Sequence, residues 1–234
     1  MEKVIVALRT TTADDCWVGQ LLGPVAAELL DLDLPGVSLN LTDAPVRDSL
    51  MTLTTLEPPV RGVAGLWTDQ HYGQPLRAAL DVLAAHADQL AAYLVTESVP
   101  LRPPHCPLGH RAPGLANIAL LRRPQHLDEP TWLARWLAEH TPVAIATQAT
   151  VGYVQNYVVR PLTEAAPHVS AIVEEMFAIE AVRSLHAFFG AADDTELSSR
   201  MGRMLASTAA FGANTDIDTV PTGRYVFREP FDRG

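Results

Sequence analysis

The order of short sequence segments in the first half of the chain recurs in the second half. KVIVALRT (3–10) corresponds to NIALLRRP (117–124), each is followed by a Trp and then by Pro-Val-Ala, and GVSLN (36–40) corresponds to GYVQN (152–156). Two residues before Pro-Val-Ala, the first half has Leu22 and the second half has His140. A duplicated scaffold with a polar residue in one copy predicts one fold for both halves and a functional site in the second.

Hydrophobic periodicity predicts the order β-α-β-β-α-β in each half. In the first half the predicted strands are 3–9, 36–41, 63–68 and 93–99, with helices at 16–30 and from Pro75 onward. In the second half the predicted strands are 115–122, 150–159, 169–177 and 223–227, with helices at 129–139, 181–189 and 195–208. Each half is therefore predicted to be a ferredoxin-like unit of the α+β class. The bare apolar face of such a sheet must be buried, so the two tandem units are expected to pack sheet to sheet around a barrel-like core.

A proline-rich segment separates the two predicted units. Five prolines fall within residues 100–114, and proline continues neither a helix nor a strand ladder. We therefore predict a first domain at 1–100, a linker at 101–114 and a second domain at 115–234.

The composition excludes several classes of partner. The formal net charge is −10, whereas proteins that bind nucleic acid or anionic membranes gather Lys and Arg on one face. The chain has two cysteines, Cys16 and Cys106, and no apolar run approaches the ~20 residues that span a bilayer. No signal peptide is recognised before the first strand. We therefore expect a cytoplasmic protein with free thiols, no nucleic-acid partner and no membrane contact.

The predicted helix at 129–139 carries the main candidate for catalysis. His140 lies four residues after Trp136 and continues the apolar stripe of this helix, so it is expected to point inward. Pro142 is expected to end or kink the helix there. An inward imidazole near neutral pKa is a candidate general acid or base. The alternative is a core histidine that bonds a carbonyl or a facing strand residue.

The strand that follows this helix offers candidate ligand contacts. Tyr153, Gln155 and Tyr157 alternate onto one face and could line a cavity with apolar bodies and a few polar groups. Trp136 and, from the next strand, Met176 are the other predicted substrate-binding residues. For Tyr153 and Tyr157 the alternative is a sheet face whose hydroxyls reach solvent, and for Trp136 and Met176 it is ordinary core packing.

Two further groups of residues contain side chains that are capable of chemistry. Glu174 and Glu175 are adjacent in a predicted strand, so they face opposite sides and cannot act as a carboxylate pair; a solvated edge is expected. His105, Cys106 and His110 offer three possible metal ligands but lack a fourth at zinc spacing, so no metal site is predicted. The chain also lacks the glycine-rich motifs of nucleotide binding and the serine elbow of hydrolases.

The second half resembles the EthD family of dimeric α/β-barrel proteins. The resemblance rests on LLRRP (120–124), the Trp132–Trp136 spacing, the His-x-Pro of His140 and Pro142, and GYVQN (152–156), and it covers mainly residues 115–180. The first half has Gly23-Pro24-Val25-Ala26 without the histidine, so it resembles a degenerate copy. The resemblance implies a dimeric α/β-barrel-like fold and chemistry like that of small cyclases, dehydratases, decarboxylases or isomerases that act on aromatic or polyketide-like compounds.

Three hypotheses follow for the function. The first is a cofactor-independent enzyme that holds a hydrophobic or aromatic compound in an apolar pocket and uses His140 to move a proton. The second is a non-catalytic protein that binds such a compound for a catabolic pathway. The third is a structural role with a collapsed interior. The chain is expected to be a monomer with an internal pseudo-dimer, or a homodimer.

Overall fold

The chain forms a closed barrel of eight antiparallel strands, described here for residues 1–230 of a computed structural model. The strands are β1 (Glu2–Arg9), β2 (Gly36–Leu41), β3 (Val60–Thr68), β4 (Gln89–Leu101), β5 (Leu115–Leu121), β6 (Gly152–Pro161), β7 (Ala171–Phe177) and β8 (Asp218–Arg228). The predicted mixture of helices and strands around a barrel core is therefore confirmed. The last four residues of the predicted second domain, 231–234, lie outside the described residues.

Each half of the chain contributes one continuous arc of the barrel. The order is β4-β1-β3-β2 in the first half and β8-β5-β7-β6 in the second. Two joints connect the arcs, one between β2 and β8 and one between β4 and β6. Closure leaves none of these eight strands with an unpaired edge, which removes a common route to aggregation.

The helices cover the outside of the barrel. The first half has α1 (Asp15–Gln20), a π-helical turn (Leu21–Val25), α2 (Ala26–Asp31) and α3 (Gln74–Ala84). The second half has α4 (Glu129–Leu133), a π-helical turn (Ala134–His140), α5 (Thr141–Thr147), a 3₁₀ turn (Ile179–Val182), α6 (Leu185–Phe189) and α7 (Asp194–Phe211).

The helix that carries His140 continues through Pro142 instead of ending before it. Asp128 caps its start by accepting a hydrogen bond from the Thr131 amide, and helical backbone then runs to Thr147. Pro142 has no amide hydrogen to donate, and the preceding turn is π-helical, with the Thr141 amide bonded to the carbonyl of Trp136. The wider turn accommodates the proline, so the predicted end at residue 139 is wrong.

Strand alternation gives every barrel strand two buried faces. The inner face carries a cluster of mostly β-branched residues, among them Ile5, Ile118, Ile172 and Val220. The outer faces pack under the helices in separate clusters for the two halves. A period of two therefore places neighbouring residues of one strand in two different cores.

The barrel interior is apolar toward one end and polar toward the other. The apolar end is closed by Arg9, which donates to the carbonyls of Glu57 (2.8 Å) and Pro58 (2.9 Å), and by Tyr93, which donates to the Pro167 carbonyl (2.8 Å). The polar end, called the mouth below, lies where β1, β2 and β6 begin and β3, β4 and β7 end. The mouth opens to solvent.

Candidate functional site: the barrel mouth

The barrel mouth contains a cavity of about 430 Å³. This volume is within the range of small-molecule binding pockets. Its walls mix aromatic and aliphatic groups with both signs of charge, and the residues on which its chemistry depends are Lys3, Trp67, Glu97, Glu174 and Arg224.

One side of the mouth holds an ion pair beneath an indole ring. The Lys3 ammonium, on β1, contacts the carboxylate of Glu97, on β4, and lies 4.7 Å from the centre of the Trp67 ring. Lys3 is buried, with 9% of its side-chain surface exposed, whereas 22% of the Glu97 side chain is exposed. The indole face attracts the ammonium group, so Trp67 holds Lys3 at the cavity wall.

The opposite side holds a second ion pair. Arg224 Nε lies 3.0 Å from Glu174 Oε1, as an ion pair rather than an aligned hydrogen bond, and Asn40 Nδ2 donates to the same oxygen at 2.9 Å. Among residues 1–230 no hydrogen bond reaches the other oxygen, Oε2. The carboxylate is therefore held in place through one oxygen while the second is available to a ligand.

The proline-rich segment forms the third wall of the mouth. Residues 102–106 line the cavity, and the following residues run along β8 through the Gly109 amide bonded to Val226 and the Ala112 amide bonded to Arg224. Arg111 anchors the segment by a two-nitrogen contact with Asp43 (2.6 and 3.1 Å).

The Arg111 anchor is completed by a tyrosine. Tyr225 donates to Asp43 Oδ2 at 2.7 Å, and burial together with this carboxylate raises the pKa of its hydroxyl, which keeps the proton on the donor. The predicted linker is thus fixed against the barrel and contributes directly to the cavity. Its proline content indicated a linker but carried no signal that the segment borders a site.

His140 lies away from the mouth, between the π-helical turn and α7. Its Nδ1 is 2.9 Å from the Ser207 hydroxyl, and its ring centre is 4.7 Å from that of Phe211. Burial lowers the pKa of His140 to about 4, so the imidazole is neutral at pH 7. The side chain is inward-facing as expected, but it faces a helix–helix contact.

Three other predicted ligand contacts lie in the outer layer of the second half, under the helix. Trp136 and Tyr153 are fully buried there, and Gln155 Nε2 donates to the Thr141 hydroxyl at 2.6 Å. Tyr157 is at the edge of this layer, where its hydroxyl bonds Glu129 at 2.5 Å; this bond raises its pKa. The structure brings these residues near each other, but none of them lines the mouth cavity.

Met176, the remaining predicted contact, faces the other side of the sheet. It packs with Ala112, Ala116 and Cys106 beneath the proline-rich segment. Cys106 in turn lines the cavity, so Met176 supports the mouth from behind. The face of β6 that borders the mouth is the one opposite the tyrosines, through Val154.

The adjacent acidic residues of β7 are both enclosed, so the predicted solvated edge is wrong. Glu174 points into the barrel and Glu175 into the outer layer, as strand alternation requires. Glu175 lies between Asn117 of β5 and Tyr153 of β6 in the strand register. Burial raises the pKa of Glu175 to about 7, and burial and this carboxyl together raise the pKa of Tyr153 well above its usual value.

Residues 1–230 contain neither a cluster of metal ligands nor a membrane-spanning helix. No group of three or more His, Cys, Asp or Glu side chains in this range is arranged to hold a metal ion. Within the same range no helix has the length and apolar character needed to cross a membrane.

Comparison with known proteins identifies the fold but no family. No family model matches the sequence, and no curated protein matches it. A solved structure described as an anthrone oxidase-like protein matches at a TM-score of 0.56 and 10% identity, covering 100% of this chain and 96% of its own.

Two further solved structures were found, each described as a proposed monooxygenase. The one from Lactobacillus acidophilus NCFM has a TM-score of 0.47 and 8% identity, covering 97% of this chain and 96% of its own. The one from Fusobacterium nucleatum has a TM-score of 0.48 and 6% identity, covering 97% and 92%. The match at a TM-score of 0.56 supports the closed α/β-barrel fold, and membership of the EthD family of dimeric α/β-barrel proteins stays a prediction.

Proposed function

We propose that this protein is a small-molecule enzyme that binds a neutral aromatic or polyketide-like compound in the barrel mouth. In this proposal it moves a proton on that compound without a cofactor, in a cyclisation, dehydration, decarboxylation or isomerisation. The observation that carries the proposal is the 430 Å³ cavity, because it combines an indole wall with two ion pairs. A cavity of this size also argues against a structural role with a collapsed interior.

The charges of the cavity wall favour an uncharged ligand. The wall contains three cationic side chains, Lys3, Arg102 and Arg224, and three carboxylates, Glu97, Glu174 and Glu229. These charges balance, so a ligand with a net charge would be left without a counter-charge in a partly desolvated site. Trp67 supplies a flat surface on which an aromatic ring can stack.

The arrangement of Glu174 and Arg224 supports proton transfer next to a carbonyl group. Glu174 Oε2 can accept a proton from a carbon beside a ketone, while its other oxygen stays fixed by Asn40 and Arg224. The guanidinium of Arg224 and the ammonium of Lys3 can then stabilise the negative charge that develops on the ketone oxygen. In this proposal the base and both charge-stabilising groups are side chains of this protein.

The geometry supports a structural role for His140 better than the catalytic role that the sequence suggested. The neutral imidazole is occupied by Ser207 and Phe211 and does not border the cavity. We keep its catalytic role only as a prediction, to be tested by substitution.

We also infer that the barrel consists of two tandem ferredoxin-like units, 1–100 and 115–234, joined by residues 101–114. The support is the equal strand order of the two arcs. Because both joints lie within one chain, the protein is expected to be a monomer, which light scattering would measure.

The test is binding and turnover with a panel of neutral aromatic ketones and phenols, followed by mass spectrometry of the mixture. The panel includes anthrone, a tricyclic aromatic ketone, because one structural neighbour is described as anthrone oxidase-like. Glu174→Gln should lower turnover by about 100-fold or more. Glu196→Gln, in a partly exposed ion pair with Arg200 on α7, is the matched control and should leave turnover unchanged. Turnover that survives in Glu174→Gln would contradict the mechanism.

A non-catalytic binding protein is the second candidate, and one observation favours it. Each carboxylate of the two mouth ion pairs already has a cationic partner, Lys3 for Glu97 and Arg224 for Glu174. A pure binder would show saturable binding with the ligand unchanged after long incubation, and any product would count against it.

A further inference from the structure

A small recess continues from the mouth cavity toward the apolar end of the barrel. Its volume is about 20 Å³, and it shares Lys3, Ser38 and Glu174 with the mouth cavity, so the two spaces adjoin. The remaining wall is mainly aliphatic, with Asn40 and Asn156 as its other polar groups. A space of this size accommodates one group about as large as a water molecule.

Asn156 lines this recess and has a buried acceptor without a partner among residues 1–230. Its side chain is 98% buried, since only 2% of the residue's surface is exposed, and Nδ2 donates to the Ile172 carbonyl at 3.1 Å. That bond fixes the orientation of the amide, because the reversed amide would set two oxygens against each other. Oδ1 has no hydrogen-bond partner among residues 1–230. A buried acceptor without a partner destabilises a fold by about 1–3 kcal/mol, so its presence calls for an explanation.

The polar atoms around the recess restrict what can satisfy Asn156 Oδ1. A carbonyl or carboxylate would place an acceptor against an acceptor, with the Glu174 carboxylate also nearby. An ammonium group would add a net charge to a recess in which the charges of Lys3 and Glu174 already balance. A neutral hydroxyl fits both the volume and the electrostatics, because it donates one hydrogen and carries no net charge.

We infer that the recess receives a phenolic or enolic hydroxyl of the ligand and that Asn156 is the residue that selects for it. The inference rests on the proposed function, since it concerns the same cavity, and it narrows the ligand class from neutral aromatic compounds to hydroxylated ones. A ligand group larger than a hydroxyl does not fit in the recess volume of about 20 Å³.

Gly65 provides an independent way to test the recess. It also lines the recess, and a Cβ added at this position would lie 2.6 Å from the Ser38 hydroxyl oxygen. Gly65→Ala therefore reduces the space directly, by displacing the Ser38 side chain, without changing Asn156.

The experiment compares 2-naphthol with 2-methoxynaphthalene by calorimetric titration of the full chain. The two probes share one ring system, and only 2-naphthol donates a hydrogen bond. Wild type should bind 2-naphthol about 10-fold more tightly, which corresponds to about 1.4 kcal/mol. Asn156→Leu should bind the two probes about equally, and Gly65→Ala should lose the preference as well.

Asn117→Leu is the matched control. Asn117 is equally buried and its Oδ1 is also unpaired among the described residues, but it lies on the outer face of β5. This variant should keep the preference of wild type for 2-naphthol. Loss of the preference in Asn117→Leu as well would show that the effect is general and would overturn the role of Asn156.

The outcomes separate this inference from the proposed function. If wild type binds both probes equally, or if the preference survives in Asn156→Leu and Gly65→Ala, the inference is overturned while binding at the mouth stands. If neither probe binds to wild type even at millimolar concentration, both the inference and the proposed function are overturned.

Discussion

Glu174 and Glu175 are neighbours on β7, yet they occupy two very different buried environments. Glu174 faces the barrel mouth, where it has an arginine partner, an asparagine donor and a cavity beside it. Glu175 faces the outer layer, where it is enclosed under a helix and no cation is paired with it among residues 1–230. One carboxylate therefore has a cationic partner and borders the cavity, while burial raises the pKa of the other.

The same outer layer in the first half has no comparable polar group. The strand register aligns Asn117, Glu175 and Tyr153 across the second half. In the first half the corresponding outer face, which includes Val4, Leu66 and their neighbours, is an apolar cluster. Polar residues in one copy of a repeat thus show that the two copies differ in their buried layers. They indicate a ligand site only where the structure also leaves a cavity beside them.

The largest effect on stability should come from a substitution in the barrel mouth. Glu174→Leu leaves Arg224 without its carboxylate, and breaking a largely buried pair destabilises a protein by about 3 kcal/mol. Urea denaturation would measure the loss. The double variant with Arg224→Met should recover most of it; a double variant as unstable as the single one would mean that the pair contributes little.

His140→Ala should have the next largest effect, about 2 kcal/mol at pH 7, because it removes a buried ring that contacts Phe211. The pKa of His140 also predicts how the stability of the wild-type protein depends on pH. The folded-state value is about 4 against 6.5 for the free group, so the unfolded chain binds more protons and stability is lost as the pH falls from about 6.5 to 4. The variant should lack this loss.

Denaturation of His140→Ala and wild type at several pH values would measure that difference. Turnover in the same variant tests the catalytic prediction for His140. Loss of turnover with unchanged stability would support a catalytic role for His140. It would mean that the outer layer, and not the barrel mouth alone, takes part in the chemistry. Full turnover with reduced stability would confirm the structural role.

Glu175→Gln should stabilise the protein at pH 8 by about 1.5 kcal/mol, roughly half of what the pKa shift corresponds to, because the buried glutamine amide carries a desolvation penalty of its own. The folded-state pKa of about 7 lies above the ordinary 4.5, so wild type loses stability as the pH rises from about 4.5 to 7. Glutamine removes the penalty of burying a charge, and the gain should vanish below about pH 4.5. Thermal denaturation across this range would measure it, and a gain that does not depend on pH would contradict the assignment to Glu175.

Tyr157→Phe should have the smallest effect, below about 0.5 kcal/mol. Its hydroxyl bonds Glu129 at the protein surface, where such bonds contribute little. Binding of aromatic probes should be unchanged, because Tyr157 does not line the mouth. Weaker binding in this variant would mean that the outer layer takes part in ligand recognition after all.

Sequence periodicity predicted most of the elements, but it could not show which residues border the cavity, for one physical reason. Periodicity is a local property, and it located strands such as β2, predicted and observed at 36–41, and the approximate extent of most others. It also put Val154 and Tyr153 on opposite faces of β6. In a closed barrel both faces are buried, so alternation cannot tell which one borders a cavity.

The pairs that build the mouth are not visible in a local pattern. Lys3 and Glu97 are 94 positions apart, and Glu174 meets Arg224 only through the order in which β7, β5, β8 and β2 are arranged. Assigning them required the topology. The polar signal that the sequence did contain, His140 and the Tyr153 face, belongs to the outer layer.

The two joints of the barrel have a consequence for how the chain can be divided. A cut within residues 102–114 would yield two four-stranded arcs, each with two unpaired edges and an uncovered inner face. Such fragments should aggregate when they are expressed separately, because open edges and apolar faces recruit further strands. Expressed together, they should reassemble through β2–β8 and β4–β6, which makes this barrel a natural scaffold for a split-protein reporter of proximity.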